Sequence, residues 1–251
     1  MSISIIIIIG FILFLCSTIQ GMVGFAFNIF AIPLLIWSGL GLDEAISLTT
    51  IPIFFQSLTS TYKLRSYIVW KDVGKGTIYR YIGIPIGIYL LTLISGFDKS
   101  SIKQIVGVAI LLVVFSQLYA KVESKHSVSP FWTFIAFFTS GLTLGMVSMG
   151  GPPAVIWVMA QRWSAIRTRA FLSALFFLAS PLQVALLYYN FGDRLLNFFL
   201  LGLAFSPLVV IGTLWGVKMG EFLDKGKLKK IILSLLVITS LVSIFSPYFR
   251  S

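Results

Sequence analysis

The sequence has very little charge for its length of 251 residues. Asp, Glu, Lys and Arg together make up 11% of it, whereas soluble domains carry roughly a quarter charged residues. Hydrophobic residues make up 58%, and several uncharged runs approach or exceed the ~18 apolar residues that suggest a membrane span. These features exclude an ordinary soluble domain and predict an all-α polytopic membrane protein.

Cysteine and histidine are nearly missing as well, since Cys16 and His126 are the single examples of each. A metal site needs several ligands, and one cysteine cannot form an internal disulfide, so we expect neither a metal nor another cofactor. No Ser/His, Asp/Asp or histidine constellation falls within the apolar runs, as a catalytic site would require. The sequence therefore does not predict an enzyme.

The charged residues that are present group into connecting or terminal segments. We therefore expect no charged side chain at the centre of any span, and no carboxylate proton relay inside the membrane. The net charge of +11 is typical of cytoplasmic loops that face anionic lipids. It predicts the lipid bilayer as a partner rather than a nucleic acid, and a homodimer is left open as an alternative.

The apolar residues fall into eight segments, two of which are too long for one crossing. The segments are 3–40, 45–62, 78–96, 102–120, 131–161, 171–190, 195–217 and 231–247. At 1.5 Å per helical residue, 3–40 and 131–161 exceed the ~30 Å hydrocarbon core. If each of them enters and returns on the same side, most of the 19 Lys and Arg residues lie in cytoplasmic loops, as the positive-inside rule favours.

This arrangement predicts two inverted repeats, each a glycine-broken hairpin followed by three transmembrane helices. The number of crossings per half is odd, so the two halves point in opposite directions. Residues 1–251 then form a single transport domain, with the first repeat at 1–120, a cytoplasmic linker at 121–130 and the second repeat at 131–251. Loops 63–75, 162–169 and 218–230 are expected in the cytoplasm, and Asp43, Asp193 and both termini outside.

A glycine motif supports this division because it occurs twice. The letters GMV that open GMVGF at 21–25 reappear at the start of GMVSMGGPP at 145–153, an offset of 124 residues, and prolines 85 and 207 recur at an offset of 122. In lipid, broken helix is tolerated only where protein or water covers it, and Pro152 suits the first turn of a new helix. Helices that begin near Phe25 and Pro152 would direct their N-terminal dipole ends at the membrane middle, where they can bind an anion without a basic side chain. The alternative is small-residue helix packing with no ligand.

These residues resemble the TauE/SafE sulfite-exporter family of membrane permeases. The resemblance rests on the two halves, the early glycine motif followed by Pro33, and above all the run GMVSMGGPP at 145–153, and it covers the whole chain. It implies transport of sulfite, thiosulfate, sulfonates or related small anions. It also implies a multi-pass protein of the bacterial or archaeal cytoplasmic membrane.

Candidate substrate-binding residues are the glycines and uncharged polar residues at the two breaks and in the spans that follow them. They are Thr18, Gln20, Gly21, Gly24, Asn28, Gln56, Thr143, Gly145, Ser148, Gly150, Gly151, Pro152 and Gln183. Hydroxyl and amide groups can donate hydrogen bonds to an oxyanion without adding charge, although each one alone is also explained by an interhelical hydrogen bond. The sequence favours a secondary transporter of small sulfur-containing anions, with an anion channel or a permease for a non-sulfur organic anion as the alternative.

Overall fold

The computed structural model describes residues 3–119, 128–161, 163–222 and 225–245, and every regular element in this part is a helix. The α-helices are α1 (Ile3–Val23), α2 (Phe27–Trp37), α3 (Leu42–Lys63), α4 (Trp70–Ile94), α5 (Lys99–Tyr119), α6 (Pro130–Val147), α7 (Gly151–Met159), α8 (Ala165–Phe191), α9 (Leu196–Phe222) and α10 (Lys225–Phe245). Short 3-10 helices at Arg65–Tyr67 and Gly192–Leu195 connect neighbouring helices. The predicted all-α class is confirmed, whereas most of the predicted linker 121–130 lies outside the described residues.

In the part of the chain that the structure describes, four helical stretches are long and apolar enough to cross a membrane. They are Ile3–Met22, Trp70–Ile94, Pro130–Val147 and the stretch Ala165–Met219, which contains α8 and most of α9. Their outward faces carry large exposed apolar side chains such as Ile7, Tyr89, Phe131 and Ile211. Exposed apolar surface of this extent is what a lipid environment requires.

Each long N-terminal segment of the two halves folds into two helices of unequal length. The first arms, α1 and α6, have 21 and 18 residues, and the second arms, α2 and α7, have 11 and 9. At 1.5 Å per residue the first arms approach the thickness of the bilayer core, and the second arms do not. The breaks at 24–26 and 148–150 lie close to the middle of the segments 3–40 and 131–161, where the glycine pattern predicts them.

Helices of the first five and the last five pack in a reciprocal pattern. Helix α1 packs on α9, and α6 packs on α4; α3 packs on both α8 and α9, and α8 on both α3 and α4. Helix α5 pairs with α10, α2 also contacts α10, and α7 also contacts α5. Exchanging α1–α5 with α6–α10 leaves these contacts in place, so each half completes its packing on the other.

Small residues permit two of these contacts to be close. They are Gly83 and Gly87 of α4 against Gly141 and Gly145 of α6, and Gly212 and Gly216 of α9 against Ser17 and Gly21 of α1. A methyl group on Gly87 would overlap the carbonyl oxygen of Leu142 and lie 2.9 Å from the backbone nitrogen of Met146. Small residues at every fourth position allow helix backbones to approach this closely in membranes.

Candidate functional site

The first arm of each hairpin ends at a residue with a left-handed backbone. Gly24 has φ +95° after α1, and Ser148 has φ +57° after α6. These positions are 124 residues apart, which is the offset at which the glycine motif recurs. A left-handed residue ends a helix because the following peptide turns away from the helix axis. The short helices α2 and α7 begin just beyond, at Phe27 and Gly151.

The two breaks contact each other in the interior of the bundle. Asn28 Nδ2 donates to the carbonyl oxygen of Ser148 at 3.0 Å and to its hydroxyl oxygen at 2.7 Å. Gln183 Nε2 of α8 donates to the same hydroxyl oxygen at 3.2 Å and to the carbonyl oxygen of Leu144 at 3.1 Å. A Cβ on Gly151 would lie 3.2 Å from the carbonyl oxygen of Phe25. Ser148 thus joins the second break to both the first break and α8.

A small cavity lies where the breaks meet. Its lining residues are Gln20, Phe25, Asn28, Ile29, Ile53, Leu144, Ser148, Met149, Gly151, Phe176, Ser180 and Gln183. The centre of a water molecule can occupy a volume of about 20 Å³ in this cavity. The cavity therefore admits at least one water-sized group. Ile53 and Phe176 stand near the middle of α3 and α8, so the cavity lies deep within the bundle.

The helix N-termini at this cavity offer fewer free donors than the sequence suggests. The Oε1 atom of Gln20 accepts a hydrogen bond from the backbone N–H of Phe27 at 2.8 Å, so it caps α2. Pro152 and Pro153 follow Gly151 in α7 and have no N–H to donate. The Oδ1 atom of Asn28 is buried and accepts no hydrogen bond from the described residues. An anion at this place therefore needs donors besides the two helix ends.

Five of the predicted site residues line the cavity, namely Gln20, Asn28, Ser148, Gly151 and Gln183. The others have different surroundings. Gln56 is buried in α3 without lining the cavity, and its Oε1 has no partner in the described part of the chain. Thr143 and Pro152 line a separate apolar pocket between α5, α6 and α7.

Three predicted residues serve helix packing. Gly21 and Gly145 lie in the close contacts with α9 and α4, and the carbonyl oxygen of Thr18 abuts Gly216. Gly24 makes the left-handed turn. Gly150 precedes α7, and its carbonyl oxygen accepts a hydrogen bond from the Ser140 hydroxyl.

The apolar wall of the cavity was not predicted. Phe25, Ile29, Ile53, Leu144, Met149 and Phe176 belong to it. In a chain that is 58% hydrophobic, apolar type alone does not mark a cavity position. Spacing was the available signal, because Ser180 lies one helical turn and Phe176 two turns before Gln183 on the same face of α8.

A charged residue also lies inside a span, contrary to the sequence expectation. Helix α4 begins at Trp70, so Arg80 stands three turns into it, and its side chain is fully buried. Its Nη1 donates to the carbonyl oxygen of Leu175 at 3.2 Å, and its guanidinium carbon lies 5.0 Å from the ring centre of Phe176. Its Nη2 would be 2.6 Å from a Cβ on Gly150. The expectation that no basic residue lies near the glycine breaks is therefore wrong.

An ion pair lies at each end of the bundle. Asp72, at the start of α4, pairs with Arg167, near the start of α8, at 3.7 Å. Asp43, at the start of α3, pairs with Arg194, just before α9. Since α3 ends where α4 begins, the two pairs lie at opposite ends. Each joins the beginnings of two helices, and the pairs correspond when the halves are exchanged.

The fold and site define a helical membrane protein with two broken hairpins that meet around a small interior cavity, which amide, hydroxyl and apolar side chains line. The family model described as sulfite exporter TauE/SafE matches residues 9–243. The chain therefore belongs to the TauE/SafE sulfite exporter family, which confirms the resemblance found in its sequence. No curated protein and no solved structure matches the chain.

Proposed function

We propose that the chain is a secondary transporter of small sulfur-containing anions such as sulfite, thiosulfate or a sulfonate, and that it binds them in the central cavity. The observation that carries this proposal is the meeting of two helix breaks around Ser148, Asn28 and Gln183. Buried amides and hydroxyls at a repeat interface are typical of transporter binding sites. Membership of an exporter family supports transport as the activity.

The same observations favour a carrier over a channel. The cavity is only about 20 Å³ in volume, and ion pairs lie at both ends of the bundle. A channel needs a continuous pore, whereas a carrier encloses its substrate between two gates. We therefore assign the two ion pairs to gates that open in turn.

We also infer the inverted-repeat architecture, with α1–α5 and α6–α10 as its halves. Support comes from the reciprocal packing of the helices and from the left-handed residues Gly24 and Ser148 at equivalent places. In this topology the groove lined by Lys63, Arg169 and Lys218 lies on the cytoplasmic side. Cations there would raise the local concentration of an anionic substrate. The protein would reside in a bacterial or archaeal cell membrane.

A ligand-induced thermal shift of the purified protein tests the site. Sulfite, thiosulfate, sulfoacetate and taurine would be compared with acetate. We expect at least one sulfur-containing anion to raise the Tm of the wild type. The variant Gly151→Leu should lose this shift, because its side chain fills the cavity between Phe25 and Phe176. The control Gly74→Leu, which enters open space, should keep it. A shift that persists in Gly151→Leu would place the site elsewhere.

A further inference from the structure

We propose that Arg80 supplies the positive charge that binds the transported anion, and that the site takes an anion with a single negative charge. This inference rests on the proposed function and names the charge class of its substrate. Arg80 lies at a place where a charged side chain is energetically unfavourable. Arg80 is the largest fully buried side chain among the described residues, and it lies within a helix that is long and apolar enough to span the membrane.

The free edge of the guanidinium has the geometry of an oxyanion site. Nη1 is engaged by the Leu175 carbonyl oxygen, whereas Nε and Nη2 are buried and have no partner in the described part of the chain. The N–H bonds of Nε and Nη2 lie side by side on one edge, and such a fork matches two oxygens of a carboxylate, phosphate or sulfonate group. Unpaired buried donors are rare, so this edge points to a missing acceptor.

The edge lies next to the central cavity. Nη2 faces Gly150, the residue directly before the cavity-lining Gly151. The ring of Phe176 lies against the guanidinium of Arg80 and also lines the cavity wall. We infer that a rotation of this side chain would bring the guanidinium into contact with the space bounded by Ser148 and Gln183. We therefore assign to Phe176 the control of access from the cavity to the guanidinium of Arg80.

The charge balance sets the substrate class. The acidic residues Asp43 and Asp72 pair with Arg194 and Arg167 at the two ends of the bundle, and among the described residues no carboxylate pairs with Arg80. A singly charged anion would therefore neutralise the site. A dianion would leave one uncompensated negative charge in a water-poor interior, where charge is strongly disfavoured. The site should accept bisulfite rather than sulfite dianion, and a singly charged sulfonate rather than the dianions sulfate and thiosulfate, which narrows the substrates of the proposed function.

Binding measurements on the purified full-length protein test this. Methanesulfonate carries one negative charge at every working pH, dimethyl sulfone is its neutral analogue, and sulfate is a dianion of similar size. We expect the wild type to bind methanesulfonate at least about tenfold more tightly than either of the other two. Its apparent affinity for total sulfite should fall as pH rises through the bisulfite pKa, while its affinity for methanesulfonate stays constant.

Variants then separate charge from structure. Arg80→Met should fold with a Tm at or above that of the wild type, because it removes an unpaired buried charge, and it should lose at least about tenfold in methanesulfonate affinity. Arg80→Lys, which keeps the charge without the fork, should retain part of the affinity. The matched control Arg65→Gln removes an exposed arginine and should bind like the wild type.

The possible outcomes show separately whether the proposed function or the role of Arg80 is wrong. If the wild type binds no sulfur-containing anion at all, the proposed function is wrong and this inference falls with it. If the wild type binds methanesulfonate and Arg80→Met binds it equally well, the function stands and Arg80 is not the charge partner. Should Arg80→Met fail to fold, tighter binding of sulfate than of methanesulfonate by the wild type would overturn the single-charge claim by itself.

Discussion

Asn28 and Ser148 are 120 residues apart in the chain, and the side-chain amide of the first donates to both the carbonyl and the hydroxyl oxygen of the second. Ser148 is also the one non-glycine residue with positive φ in the described part of the chain. A side chain in the left-handed region is disfavoured by roughly 1 kcal/mol. The hydroxyl offsets this strain because it accepts hydrogen bonds from Asn28 and Gln183 at the point where the two breaks meet.

Two substitutions at Ser148 should separate its hydroxyl from its backbone. Ser148→Ala loses the hydroxyl and keeps the strained Cβ, so it should lower stability by about 1–2 kcal/mol. Ser148→Gly loses the hydroxyl and relieves the strain, so its Tm should lie above that of Ser148→Ala. Both should weaken anion binding by about 0.5–1.5 kcal/mol, the size of a typical hydrogen bond.

Stability would be measured by thermal unfolding in detergent, and anion binding by titration. In an Asn28→Ala background, Ser148→Ala should have a smaller effect than it has alone, because the two residues share hydrogen bonds. If Ser148→Gly binds the anion with wild-type affinity, the Ser148 hydroxyl is not part of the binding site.

The close contact between α4 and α6 leads to a second prediction, which concerns stability. Gly87→Ala forces a methyl group against the carbonyl oxygen of Leu142, so it should destabilise the protein by about 1–3 kcal/mol. Gly216→Ala should have a similar effect, since it meets the carbonyl oxygen of Thr18 in the related contact. The control is Gly74→Ala, where nothing lies within 4 Å. Equal Tm values for Gly87→Ala and Gly74→Ala would show that the contact is looser than the structure indicates.

Cysteine labelling tests the inverted-repeat topology. Cys16 is buried and would first be replaced by alanine. Single cysteines at the exposed positions Ser66 and Ala165 should then react with an impermeant maleimide only from the cytoplasmic side. Cysteines at the exposed positions Ser100 and Asn190 should react only from the outside. Labelling of Ser66 and Ala165 from opposite faces would contradict the topology, because it would place the ends joined by Asp72 and Arg167 on different sides.

The helix breaks could be predicted from the sequence because glycine and proline have few other uses inside a membrane span. Gly24 and Gly151 stand where one helix ends and the next begins. The uneven hairpin arms could not be predicted in the same way. Their lengths depend on where α2 and α7 meet α10 and α5, and such contacts leave no pattern within a uniformly apolar run.

Arg80 lies near the start of the apolar segment 78–96, where the charged residues that precede it favour a position at the end of a span rather than inside it. Helix α4 begins at Trp70, eight residues before the apolar segment, so polar residues occupy its first turns. A pattern that indicates its burial was nevertheless present. Gly76, Gly83 and Gly87 lie four residues before, three after and seven after Arg80, which places all four on one helix face. A face of small residues packs closely against another helix, and an arginine on it is buried.

The sequence offset between equivalent positions of the two repeats could also be determined only from the structure. The prolines at 85 and 207 suggest an offset of 122 residues. The glycine contacts instead relate Gly87 to Gly216, an offset of 129, while α1 and α6 keep the offset of 124. The connecting segments differ in length between the halves, so one offset cannot hold along the whole chain.

The central claim is that the cavity between the two breaks carries small sulfur-containing anions across the membrane. Counterflow in proteoliposomes tests it most directly. Vesicles would be loaded with unlabelled sulfite and diluted into a trace of radiolabelled sulfite, with the wild type, Gly151→Leu and Gly74→Leu reconstituted in equal amounts. A carrier that works through this cavity predicts transient accumulation of label with the wild type and Gly74→Leu, and none with Gly151→Leu. Accumulation by Gly151→Leu at the wild-type rate, or no accumulation by the wild type with either sulfite or thiosulfate, would contradict the account.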